Sequence, residues 1–205
     1  MNSGSLTTPH RCSTSLRGFV RLLQYLFLAA ILTGPAAWAN ELRPGNVYPL
    51  TFTDVDRHQL STSDGHATII TVLTRADEKK AEQVGERVPD LCLGDPKFRL
   101  ITLVNFQRSI FPLFQGMINA IIRSRMDAAA KDLQKAYTAR NLTRNPRSDI
   151  FVVADFDGKA VAQLGIAPSS SEFAVFVFDG RGRLVRRWND VPSAEELAAA
   201  VNEAR

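Results

Sequence analysis

The sequence predicts an α/β fold, with a mixed central sheet sandwiched by helices and an N-terminal β-hairpin. Three observations predict it. Short strand-like runs recur at Thr68–Leu73 (TIITVL), Phe98–Asn105 (FRLITLVN) and Ile150–Ala154. The first shows no alternation, as a strand buried on both faces requires. Helix-forming stretches separate these runs, the order that a parallel sheet needs. A hairpin signal and a closing helix then end the chain, adding antiparallel strands to the sheet.

Residues 1–39 read as a cleaved signal peptide and not as part of this fold. Arg11, Arg17 and Arg21 form a basic stretch without acids, and Leu22–Leu32 is an apolar run. Thr33-Gly34-Pro35 breaks it, and Ala37-Trp38-Ala39 fits a small-x-small cleavage pattern, predicting a mature start at Asn40. The competing reading is an uncleaved anchor, but the apolar run is only about half of the roughly 20 residues a span needs. Export to a periplasm or medium is therefore expected, with no stable membrane span after cleavage.

Cleavage removes three arginines, so the formal charge falls from +4 to +1. A nearly neutral chain gives no reason to expect nucleic acid as a partner. Cys12 also leaves, so Cys92 has no partner for an intrachain disulfide and the domain must rest on its core. Residues 40–205 show no internal repeat and suffice for one domain.

Taking the elements in order, Val47–Thr53 is predicted as a strand that turns at Asp54–Arg57 and returns through His58–Leu60. Arg75–Val88 is a helix with Ala81, Val84 and Val88 on one face; Pro89, Gly94 and Pro96 punctuate its exit. Pro112 suits the first turn of a long helix reaching about Arg140. Its Phe114, Met117, Ile118, Ile121, Ile122, Ala129, Leu133 and Tyr137 recur at helical spacing, with Arg123, Asp127, Lys131, Asp132 and Lys135 mostly opposite. Asp157-Gly158 is a turn, and Ala160–Leu164 reads equally as a short helix or a strand extension. Ala174–Phe178 and Leu184–Trp188 flank the loop Asp179–Gly182, a hairpin signal. Ser193 caps a last helix through Glu203, with Glu196 completing a capping box.

This order resembles the thioredoxin-like superfamily, nearest in cadence to its peroxiredoxin-like branch. The resemblance is carried by Gly45–Phe52, TIITVL, FVVADFDGKAVAQLGI, FAVFVFDGRGRLVRRW and SAEELAAAV, and spans nearly all of the mature chain. Through Thr102–Asn105, Ser169–Ser171 and Asp179–Gly182 it also resembles poorly characterised periplasmic thioredoxin-fold proteins that lack Cys-x-x-Cys.

The resemblance implies dithiol chemistry at the helix start after TIITVL, yet those positions are Thr74-Arg75-Ala76-Asp77. Such chemistry needs two sulfurs in reach and a thiolate of lowered pKa. A peroxidatic cysteine would need the same helix start. The family's cis-proline falls near Ser171-Glu172, with Pro168 several residues earlier. Oxidoreductase activity is therefore disfavoured. The expectation is a non-enzymatic protein without cofactor, binding a periplasmic protein or small ligand.

Thr74, Arg75 and Asp77 with Ser171 and Glu172 form the predicted binding edge. Helix N–H groups there favour an anionic or hydrogen-bonding group, the alternative being simple helix capping. Cys92 carries the other functional reading, a lone redox thiol, against a buried structural cysteine between Leu91 and Leu93. Asp54/Asp56 and Asp155/Asp157 lack a following bidentate glutamate at calcium-loop spacing, and turn chemistry accounts for both pairs, so no metal is expected. His58 and His66 are the only histidines after cleavage. Two arginine groups, Arg181/Arg183/Arg186/Arg187 and Arg140/Arg144/Arg147, suit either an anionic ligand or solvated faces. Phe111–Ile122 (FPLFQGMINAII) suits either core packing or contact with a partner or a second subunit. The oligomeric state stays open.

Overall fold

A computed structural model describes residues 41–88, 92–106 and 112–205. The predicted signal peptide, Pro89, Leu91 and Phe111 lie outside the described residues. The strands are β1 (Thr51–Thr53), β2 (Gln59–Ser61), β3 (Ala67–Leu73), β4 (Phe98–Asn105), β5 (Phe151–Asp155), β6 (Ala174–Phe178) and β7 (Leu184–Trp188). The helices are α1 (Glu78–Arg87), α2 (Pro112–Ala139), α3 (Lys159–Gln163) and α4 (Ala194–Ala204). One 3-10 turn, Arg75–Asp77, leads into α1.

β1 and β2 form the expected hairpin, and the other five strands form one sheet in the order β5-β4-β3-β6-β7. β3, β4 and β5 run parallel, while β6 lies antiparallel to β3 and β7 antiparallel to β6. All seven residues of β3 are buried, because the strand has a neighbour on each side and a layer on each face. Ile70 sits at the centre, paired with Ile101 on one side and Phe176 on the other.

Strand alternation sends Ile70, Val72, Ile101 and Leu103 to one face, where they pack with Phe52 and Leu60 of the hairpin and Val161 and Leu164 beside α3. Ile69, Leu73, Val175 and Val177 point the other way, onto Val84 of α1 and Leu197, Ala200 and Val201 of α4. Truncating Ile70 to alanine is expected to cost about 2–5 kcal/mol. α4 carries the capping box that its sequence predicts: Glu196 N donates to Ser193 Oγ at 3.2 Å and Ser193 N to Glu196 Oε2 at 2.9 Å.

Two expectations need correction, and one open choice is decided. The first strand begins at Thr51, not Val47; Pro49 has no N–H for a ladder. Residues before it lie instead on the last hairpin, where Val47 bridges Arg183 and Tyr48 N donates to Gly182 O at 2.7 Å. The undecided Ala160–Leu164 segment is helical, since the buried Asp155 carboxylate accepts from Gly158 N and Val161 N, both at 2.8 Å, and organises the turn.

The second correction concerns α2, which does not bury one apolar stripe. Met126 and Tyr137 are buried, whereas Leu113, Phe114, Met117 and Ile121 are exposed. The helix is held at its middle and end. Met126 packs on Val55 and Val152, and Arg123 donates to the Val55 carbonyl and to Asp56. Arg147, just past the helix, binds Asp56 at 2.7 Å and Asp127 at 2.8 Å.

Candidate functional site

The edge at the C-terminal ends of the parallel strands is built from the ladder outward. The last β3–β6 partners are Val72 and Ala174, so Thr74 and Glu172 lie two residues beyond them on adjacent chains. The sheet thus brings the predicted helix start and the predicted loop to the same edge.

At the helix start the turn closes on itself. Asp77 Oδ2 accepts from Thr74 Oγ1 at 2.7 Å and from Thr74 N at 3.1 Å, while Asp77 N donates to Thr74 O at 3.0 Å. Thr74 is buried, and Arg75 is exposed with no ion pair among the described residues. Asp77 therefore fills the place that an incoming anion would take, leaving Arg75 as the free cation of the turn.

Ser171 is exposed, and Glu172 N donates to Ser170 Oγ at 3.0 Å. The Glu172 carboxylate does not face Arg75. It accepts from Arg187 Nη2 at 2.6 Å, and Arg187 also reaches Glu41 at 2.7 Å and lies 5.4 Å from the Phe176 ring centre. The five residues share an edge, but no hydrogen bond joins Ser171 or Glu172 to the Thr74–Asp77 turn.

Sequence reasoning missed what holds the edge in shape. Asn105, buried at the end of β4, donates from Nδ2 to Ser170 O at 3.0 Å and to Pro168 O at 3.3 Å. Phe106 and Phe156, following β4 and β5, stack at 4.8 Å. Pro168 packs so closely that a Cβ at Gly158 would fall 2.3 Å from its Cβ; Gly158 also has φ +78°, which favours glycine. Peptide bonds are trans throughout the described residues. The signal available for Asn105 was an amide ending a largely apolar strand. Burial raises the Asp155 carboxyl, with Asp157 adding to the effect and the Val161 and Gly158 N–H groups opposing it.

Cys92 lies elsewhere. It follows α1, whose ten residues span about 15 Å, so Thr74 and Cys92 lie beyond opposite ends of that helix. It is half-buried and lines a cavity of about 320 Å³ with Val88, Leu93, Leu100, Leu133 and Tyr137. Burial pushes its thiol up to about 11, with Asp95 adding and Arg205 opposing. In the same cavity the Tyr137 hydroxyl donates to Asp149, and burial together with that carboxylate raises the phenol.

Four arginines of the two groups are matched by carboxylates. Arg183 binds Asp179 and Glu203, Arg187 binds Glu41 and Glu172, Arg144 binds Asp149, and Arg147 binds Asp56 and Asp127. Asp54, Asp56 and His58 bring ligand-type atoms within 4.8 Å of one another. Their valences are already used: Asp54 accepts from Asp56 N, His58 N and the His58 ring, and Asp56 binds two arginines. That set fits a turn better than an ion.

No family model matches the chain, and no curated protein sequence matches it. Solved structures do resemble it. A peroxiredoxin-like protein from Aquifex aeolicus aligns at 15% identity and TM-score 0.47, covering 80% of this chain and 89% of that one. A secreted thiol-disulfide isomerase from Corynebacterium glutamicum aligns at 13% and TM-score 0.49, covering 78% and 84%. A putative thiol:disulfide interchange protein DsbE from Chlorobium tepidum aligns at 10% and TM-score 0.49, covering 80% and 99%. Three parallel strands, an antiparallel β6–β7 pair and helices on both faces give the described residues a thioredoxin-like fold, with Thr74-Arg75-Ala76-Asp77 at the start of its first helix.

Proposed function

We propose that this chain is an exported thioredoxin-fold protein that binds a partner protein or small ligand without redox turnover, at the edge formed by Thr74–Asp77 and Ser171–Glu172. The hydrogen-bonded Thr74–Asp77 turn carries the reading: it stands where a dithiol would stand, and holds the helix start without sulfur. Cys92 supports the same reading, because a thiol raised to about 11 is a poor nucleophile at neutral pH. Among the described residues no helix is long and apolar enough to cross a membrane.

The test joins an activity assay to a binding assay. Purified protein should neither reduce insulin disulfides nor consume peroxide, and Cys92→Ser should behave like the parent. A photo-crosslinking residue at position 75 should give a discrete adduct in the native host, and one at Lys135, on the far half of α2, should not. Turnover that disappears in Cys92→Ser would overturn the reading in favour of a single-thiol protein. Mass spectrometry should find a mature N-terminus at Asn40; an intact Met1–Ala39 segment would overturn export by cleavage.

A further inference from the structure

The opening of α2 presents a face that the fold leaves uncovered. Leu113 is 87% exposed, Met117 58%, Ile121 50% and Phe114 47%. Between them lie the exposed small residues Gly116 and Ala120, with exposed Ser124 one turn beyond Ile121. A Cβ placed on Gly116 would meet nothing within 4 Å. None of residues 112–122 is charged. The nearest cations are turned to other work, Arg123 to Asp56 and Arg125 to Glu78. Leu113, Gly116, Met117, Ala120, Ile121 and Ser124 follow helical spacing, so they form one stripe.

We infer that a second copy of this chain covers the stripe, with the two α2 helices antiparallel about a two-fold axis at Met117. The order of residues on either side of Met117 supports self-pairing. Leu113 and Ile121 each lie four positions from Met117, so a two-fold axis there sets leucine against isoleucine. Phe114 and Ala120 each lie three positions away, so a large ring meets a methyl group, twice. Met117 meets Met117, and its flexible thioether suits an axis position. The i, i+4 row 113–117–121 provides the ridge that two helices interleave at about −50°. Gly116 and Ala120 let the backbones approach, as small residues do in packed helix pairs. An uncharged stripe brings no like charges together, and antiparallel helices oppose their dipoles.

The area agrees with a weak dimer. Taking about 150–200 Å² for a whole large side chain, the four apolar residues leave roughly 400 Å² uncovered. Both copies together bury about twice that, and the flanking residues extend it toward the lower end of specific interfaces, about 1,200 Å². Weak, concentration-dependent self-association is the corresponding expectation.

Sedimentation of the chain as recovered from its host, over micromolar to submillimolar concentrations, should show mass rising toward twice that of one chain. Met117→Arg and Ala120→Arg should each weaken association at least tenfold without changing helix content, since neither side chain is buried. In a Cys12→Ser, Cys92→Ser background, Met117→Cys should oxidise to a covalent dimer, whereas Lys135→Cys should not. A parent that stays monomeric throughout, or a dimer that survives Met117→Arg, would overturn the inference. So would Met117→Cys that crosslinks only to a different protein.

Discussion

Asn105 Nδ2 donates to the Ser170 carbonyl at 3.0 Å, tying the last residue of β4 to the loop before β6 across 65 positions of sequence. This contact couples two segments of the candidate edge that no ladder hydrogen bond joins. It places an inner strand under the loop as a support, so the loop's shape depends on the sheet as well as on its own Ser170.

Asn105→Ala should therefore destabilise the fold by about 1–3 kcal/mol, because it removes a buried side chain that donates to two carbonyls of half-buried residues. Urea denaturation measures this directly. The same variant should raise amide exchange within residues 168–172 more than in α4.

The Cys92 thiol should be slow to react. With its pKa near 11, the thiolate fraction at pH 8 is about one in a thousand, so alkylation should run on the order of a hundredfold slower than in the unfolded chain. Iodoacetamide labelling followed by mass spectrometry, with and without urea, gives the ratio. Equal rates would place the thiol in water.

Acid should loosen the tie between the first hairpin and α2. Burial pushes the Asp56 carboxyl up, but hydrogen bonds and charge from Arg147 and then Arg123 outweigh it and hold the carboxyl below 3.8. A carboxyl depressed in the folded state adds stability that is present above its unfolded pKa and is lost as pH falls through the folded value. Asp56→Asn should therefore lower stability at pH 7 and flatten its dependence on pH below about 4. Parallel pH-melting curves for parent and variant would sink this assignment.

Much of the sheet was legible because strand burial is written in local residues. FRLITLVN, AVFVF and LVRRW are strands with the bounds that their patterns predict, and TIITVL gains only Ala67. The cap of α4 was equally local, a serine and a glutamate three positions apart. Failures occurred where a distant segment decides. The face that α2 buries depends on Val55, Asp56 and Arg147, so an apolar periodicity alone could not say that its first turns stay uncovered. Asn105 was equally opaque, since its role is defined by carbonyls more than sixty residues away. The proximity of Thr74 to Glu172 was legible through the fold pattern, but the pairing of Glu172 with Arg187 was not.

The clasp between Thr74 and Asp77 has one further consequence. A dithiol at that spacing exists in two covalent states, and a helix start built on it changes with the electron supply of its surroundings. A hydroxyl held to a carboxylate at 2.7 Å has no oxidised form. The geometry of this corner is therefore indifferent to thiol reagents and oxidants alike. The edge accordingly keeps one covalent form across compartments of any redox poise.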